Sequence, residues 1–296
     1  MQRFAGRFVS IVPLGLLLAA SVAAAPALAS PAFQKQWHTI EAVQPNFWGP
    51  NLFDVPGPPG QQEPYKEAPG GTRLVQYFDK ARMELTVPAG GRVTNGLLTV
   101  ELKSGKIQVG DATFVPVPST PGIARPEPPG TPSAMKIAGD GNTGPAYADL
   151  NQLAERDPVG PEQQASSALM AGTPMRYNAA TGTFSPTTDL PMLNIPPGPL
   201  YAGWSGDSGG RYGQYVFRPF ADFIRSLPLP MDRTTGFPIS PLIVAEVSVG
   251  GKTTTVLIQA FERRVLTFNP KNPDAFKVEF GNIGRHYYEW RYHPGA

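Results

Sequence analysis

The chain has 296 residues with 25 basic and 23 acidic side chains and no cysteine, a length that suits one large domain or two modest ones with real cores. Its 41% hydrophobic and 16% charged residues exclude intrinsic disorder, while 35 Pro and 32 Gly call for a loop-heavy fold. Taking away Arg3 and Arg7 of the leader described next leaves 23 basic against 23 acidic residues, so the charge excess of a nucleic-acid-binding protein is missing. The lack of thiols excludes disulfides, thiolate metal sites and cysteine acylation, so the fold rests on packing alone. His38, His286 and His293 are too scattered for a zinc or catalytic-dyad spacing, and no cofactor or metal is expected.

Residues 1–29 read as a signal peptide: a basic start, an apolar run from Val9 to Ala25, and the small-x-small ending Ala27-Leu28-Ala29. The expected location is therefore extracytoplasmic, secreted or in the cell envelope, with no membrane span left after cleavage because no second apolar stretch follows.

Residues 30–150 are expected to form an N-terminal hairpin module. Its most informative string, Leu74 to Leu85, lies over Leu257 to Phe268 near the C-terminus. Leu, Gln and Phe are identical, and the Phe is followed by an acid and then a base in both copies. Each copy also has Gly-Gly upstream, Gly70-Gly71 and Gly250-Gly251, a pair that tolerates the positive φ of a tight turn. Strand alternation puts Leu74, Gln76 and Phe78 on one face, and likewise Leu257, Gln259 and Phe261. A Gln between apolar neighbours needs amide partners, and unpaired backbone at a chain bend is the expected supplier. A second hairpin is predicted from Leu98, Val100 and Leu102 through Ser104-Gly105 to Ile107 and Val109.

Residues 151–203 read as a Pro/Gly-rich linker, with a brief helix over 146–156 at its edge using Leu150 and Leu153. Residues 204–296 form the expected C-terminal module: a helix from Pro219 with Phe220, Phe223, Ile224 and Leu227 at i, i+3, i+4, i+7, the turn Gly236-Phe237-Pro238-Ile239-Ser240, then a hairpin. The whole predicts an α+β, strand-dominated fold of two related β-hairpin modules with short helices and long loops.

The strings Val75 to Glu84, Phe261 to Phe268 and Gly281 to Tyr288 resemble those of a group of secreted bacterial proteins with no established activity, over residues 68–115 and 216–292. The helix, the Gly-Phe-Pro turn and the Gln-x-Phe strand are more distantly similar to the LGFP-type repeats of cell-envelope proteins, but without their glycine-rich continuation. That resemblance implies docking on the cell wall.

Four motifs bear on chemistry. Gly206-Asp207-Ser208-Gly209-Gly210 resembles the nucleophile loop of trypsin-like proteases, yet only His38 precedes Ser208 and Arg211 replaces the usual Pro, so a surface loop is expected. Asp140 to Gly144 has calcium-like spacing without an EF-hand's closing Glu, and reads as a turn. Asp79, Glu84, Glu101, Glu262 and Glu279 could pair for glycosidic hydrolysis, but most lie beside Lys or Arg, which lower a carboxyl pKa, and solvated ion pairs are expected. Tyr287, Tyr288, Trp290 and Tyr292 are the candidate ligand-binding residues: a strand would show Tyr288, Trp290 and Tyr292 on one side, whereas a helix after Gly284 would group Ile283, Tyr287 and Trp290. The functional expectation is a non-catalytic exported cell-envelope or surface protein that binds a wall glycan, a polymer or a protein. The alternative is a secreted hydrolase using Ser208 or a carboxylate pair.

Overall fold

The computed structural model describes residues 27–50, 52, 60–118, 128–140, 143–156, 173–190, 201–202 and 216–292. Nearly all of the leader and the whole Gly206–Gly210 loop lie outside these residues, as do residues 141–142 of the calcium-like turn.

The fold is α+β and strand-dominated, built around two four-stranded antiparallel meanders. Helix α1 (Pro31–Glu41) starts where the Ser30 hydroxyl accepts from Phe33 N at 3.1 Å and Pro31 fills the first turn. The first meander follows as β1 (Gln61–Pro64), β2 (Thr72–Phe78), β3 (Ala81–Leu85) and β4 (Val93–Asn95). Helix α2 (Leu98–Ser104) closes it, and the hairpin β5 (Lys106–Gly110) and β6 (Thr113–Pro116) comes next. The second meander has the same order. Helix α3 (Arg218–Ser226), with Pro219 in its first turn, precedes β11 (Ile243–Val249), β12 (Lys252–Ala260), β13 (Val265–Phe268) and β14 (Val278–Phe280), and α4 (Ile283–Tyr292) closes it. Helix α3 matches the predicted stripe, with Phe220 and Ile224 buried and Leu227 at its C-cap before Pro228.

Three expectations need correction. The run Leu98 to Leu102 is helical, not the first strand of a hairpin. Thr99 and Val100 are β-branched and favour the strand reading, but Leu98, Glu101 and Leu102 share one helix face and are all buried. Gly105 ends the helix at φ 71, its N–H on Glu101 O at 2.9 Å, so the predicted turn residue is a helix cap. Ile107 consequently pairs with Val115 in the β5–β6 hairpin. Second, the stretch read as linker contributes β7 (Met175–Asn178) and β8 (Thr183–Pro186), with β7 parallel to β11, so the second sheet runs β14-β13-β12-β11-β7-β8. The chain also forms a two-stranded ladder from β9 (Tyr201–Ala202) and β10 (Val216–Phe217). The predicted brief helix is present as a 3-10 helix over Ala148–Arg156 with Leu150 and Leu153 buried.

Third, the boundary expected between residues 150 and 204 does not separate two cores. One apolar cluster lies between the sheets and the helices that precede them: Phe33 and Ile40 of α1, Phe220 and Ile224 of α3, with Phe78, Met83, Leu257 and Phe261. The other lies between the sheets and the helices that follow: Leu98 and Leu102 of α2, Ile283 and Tyr287 of α4, with Val75, Tyr77, Ile258 and Ala260. Both cores draw on both meanders, so neither half buries its apolar faces by itself.

Candidate functional site

The two meanders carry the same contacts at corresponding positions. Gln76 Oε1 accepts from Ala29 N and its Nε2 donates to Ala27 O, both at 3.0 Å. Gln259 Oε1 accepts from Phe217 N at 3.1 Å and its Nε2 donates to Ser240 O at 3.2 Å. Ala29 and Phe217 each stand two residues ahead of the proline that opens a helix. Both amides are fully buried and satisfy backbone at a bend, as the alternation predicted.

A second contact repeats at the β2–β3 and β12–β13 turns, behind Phe78 and Phe261. Asp79 N and Lys80 N donate to Pro50 O and Trp48 O, and Glu262 N and Arg263 N donate to Phe237 O and Thr235 O. The residue between each pair of carbonyls is a glycine in the left-handed region, Gly49 at φ 71 and Gly236 at φ 72. A Cβ on either would lie 2.9 Å from Asp79 Cβ or 2.7 Å from Glu262 Cβ, so both the dihedral and the close approach require glycine. The closing helices then cross over: Val100 N of α2 donates to Glu262 O, and Arg285 N of α4 donates to Asp79 O. Equivalent positions meet twice, the pattern of an isologous two-fold contact.

The crossing carries α4 onto β2 and β3, where the main polar cluster lies. Arg82 sits at its centre with no exposed surface, bonding Glu84 Oε1 through Nε at 2.8 Å and Nη2 at 2.5 Å, and Glu101 Oε1 through Nη2 at 2.8 Å. Arg73 reaches Glu84 Oε2 at 3.1 Å, and Arg291 reaches Glu63 Oε2 at 2.8 Å. Tyr77 and Tyr292 donate to Glu63 Oε1 at 2.6 and 2.7 Å, and Tyr287 donates to Glu101 Oε2. Three guanidinium groups thus face three carboxylates, so the cluster is charge-balanced. Burial by itself raises a carboxyl pKa, but Arg82, Arg291 and the Tyr77 hydroxyl hold Glu63 down at about 2. Burial, then Glu63, raises Tyr77 far above the phenol range. Each of these carboxylates and phenols is tied to a partner inside the cluster, and those bonds hold α4 on the first meander.

Glu84 and Glu101, expected as solvated ion pairs, are buried members of this cluster, because β3 is covered on both faces and its charged side lies under α2 and α4. Asp79 accepts from Arg285 Nε at 2.6 Å, Glu262 accepts from Phe237 N at 3.0 Å, and Glu279 is exposed and accepts from Asn272 Nδ2 at 3.2 Å. Glu63, Arg73, Arg82 and Arg291 were not singled out in the sequence. The alternation of Arg82 and Glu84 against Met83 and Leu85 suggests one solvent face, and only the positions of α2 and α4 reveal it as interior.

Of the four candidate ligand-binding aromatics, Tyr287 and Trp290 lie in the core and Tyr288 and Tyr292 are half-buried. The segment is helical, and the buried set is the Ile283, Tyr287, Trp290 group of the helical reading. Tyr77 stacks on Tyr287 at 5.9 Å between ring centroids, and Tyr288 and Tyr292 meet Tyr77 edge-on. Their faces serve the α4 contact instead of an open sugar-stacking surface. His286 is hydrogen-bonded to Tyr147 through Nδ1 at 2.9 Å; burial lowers its pKa to about 4, so it is neutral at pH 7. Asp140 docks its turn by accepting from Gly250 N. Among the described residues no group of three or more His, Asp or Glu side chains is placed to hold a metal ion, and no helix is long and apolar enough to cross a membrane. No protein-family model matches the chain, and no match is found among curated proteins or among solved structures.

Proposed function

We propose that the chain is an exported cell-envelope or surface protein that binds a wall glycan, a surface polymer or a protein partner without catalysing a reaction. We read it as two copies of one unit, a helix, a four-stranded meander and a closing helix. The observation that carries this reading is the Arg82 cluster, in which the most strongly perturbed acids and phenols are fixed against one another and lock α4 under the first meander. Chemistry of that kind gives a rigid platform, and the leader and the repeated strings supply the expectation of export and wall docking. Co-sedimentation of the purified mature protein with cell walls and with isolated wall polysaccharide tests it. Retention above that of a neutral control protein of similar size is expected. No retention on either, together with serine-reactive phosphonate labelling that disappears in Ser208→Ala, favours the secreted hydrolase.

A further inference from the structure

Arg264, at the start of β13, has no exposed surface. Its Nη1 donates to Phe47 O at 2.7 Å, whereas Nε and Nη2 are buried and meet no acceptor among the described residues. These two atoms are adjacent prongs of the guanidinium, whose parallel N–H bonds match two oxygens of one oxyanion. In Arg82 the same two prongs are both satisfied by a carboxylate, converging on one oxygen, Glu84 Oε1, at 2.8 and 2.5 Å.

The groups around Arg264 do not supply that carboxylate. Rings of Phe47, Phe280 and Trp48 lie 3.9, 4.6 and 5.3 Å from its Cζ; their faces attract the cation but leave its in-plane N–H bonds unmade. Glu41, the acid whose charge acts on Arg264, is committed to Asn46 N at 2.6 Å and Trp48 N at 3.0 Å. Lys80 is half-buried, within electrostatic reach of Glu279, Asp79, Arg264 and Glu41, and neither cation has an ion pair among the described residues. The Trp48 indole N–H is a further buried donor without an acceptor among the described residues. Burial lowers the Arg264 pKa to about 9, so the group is still charged at pH 7 and its desolvation stands uncompensated.

We propose that Arg264 binds one small free oxyanion of the sulfate, phosphate or carboxylate class, held two-pronged by Nε and Nη2. A fully enclosed fork suits an ion of few atoms over a group carried on a polymer, so this site is independent of the platform proposed above. A planar or tetrahedral oxyanion offers each prong its own oxygen, whereas a spherical halide must be shared between the two, so the oxyanion should bind more tightly.

The test is the thermal midpoint of the whole mature protein at constant ionic strength, titrated at low millimolar concentration with sodium sulfate, phosphate or acetate against chloride. A saturable rise with at least one oxyanion is expected, because a ligand of the native state alone raises the midpoint by mass action. General salting-in or salting-out does not saturate. The rise should be weaker with chloride at equal concentration and lost in Arg264→Lys, which keeps the charge and removes the fork. Should that variant not fold, crystals of the unaltered protein grown with selenate give a second readout. Anomalous density bridging Nε and Nη2 supports the site; a water or no density there overturns it, as does a titration without saturation or one unchanged in Arg264→Lys.

Discussion

The faces of the two meanders turned toward the closing helices differ in kind. Under the first lie Glu63, Arg73, Tyr77, Arg82 and Glu84; counted from the glutamines and through the strand pairing, the corresponding positions of the second are Ala245, Val256, Ala260, Val265 and Thr267. Four of those five are buried and apolar. The frame of glutamine, left-handed glycine and crossed helix is the same over both. Charge is therefore not what makes this meander fold. It matches one meander to α4, whose Tyr287, Arg291 and Tyr292 complete the carboxylates, while α2 adds Glu101 to the cluster and presents Leu98 and Leu102 to the shared core. Buried ionic groups are often no more stabilising than apolar ones of equal size, and their best-attested use is to specify which surfaces pair.

The most severe way to break this comparison is to remove one member of the balanced cluster. Arg82→Met leaves Glu84 and Glu101 buried beside too few cations, and a loss of about 3–5 kcal/mol in urea-unfolding stability is expected. Arg73→Met/Arg82→Met/Glu84→Met/Glu101→Gln removes two cations and two acids and leaves the Glu63–Arg291 pair intact, making the first meander resemble the second. That variant should recover most of the loss. If instead it is less stable than Arg82→Met alone, the charges stabilise in their own right and the contrast with the second meander means something else.

The repeated frame was legible in the sequence because its signals are local. The alternation around Gln76 and Gln259, the paired glycines and the 3.6-residue stripe of α3 each fix a short piece of backbone. What was not legible depends on what covers a strand. Arg82 and Glu84 alternate with Met83 and Leu85 as on a half-exposed strand, and nothing near them in sequence shows that α4, some two hundred residues on, encloses them. Helix α2 runs against its local signal: Thr99 and Val100 favour a strand, and one buried turn with a Gly105 cap outweighs that weak preference. Met175–Asn178 gave too short a signal to separate from its Pro-rich surroundings, although its parallel pairing with β11 makes it part of the sheet.

The glutamines provide a milder contrast, since they have the same geometry and differ in the water around their partners. Gln259→Ala leaves Phe217 N and Ser240 O without partners in the interior, where an unmet backbone group costs about 1–3 kcal/mol. Gln76→Ala, made in the full chain that keeps residues 27–29, frees Ala29 N and Ala27 O, which lie where water reaches them, Ala27 being exposed and Ala29 half-buried. Urea denaturation of the two variants should therefore give the larger loss for Gln259→Ala. Equal losses would show that the segment before α1 is as closed to solvent as the one before α3.

The smallest effect at neutral pH, and the one that isolates the second closing helix, concerns His286. Counted from Gly96 and Gly281, whose N–H groups donate to Arg82 O and Val265 O, Glu101 of α2 and His286 of α4 hold the same position. Glu101 accepts from Arg82 and Tyr287, whereas His286 is a neutral ring on the Tyr147 hydroxyl. Burial lowers its pKa from 6.5 to about 4, against the raising effect of Asp79. Between those values the unfolded chain binds the proton and the folded one does not, so stability is fully present above pH 6.5 and is lost as pH falls toward 4. Glu63, held near 2 against an ordinary 4.5, loses its contribution only below pH 4.5, which leaves the window from 6.5 to 4.5 to the histidine among these two groups. His286→Gln keeps a polar partner for Tyr147 and cannot titrate. Its stability should stay close to that of the unaltered protein at pH 7 and fall less steeply from pH 6.5 to 4.5, and equal slopes in the two proteins would mean that His286 becomes protonated in the folded state without cost.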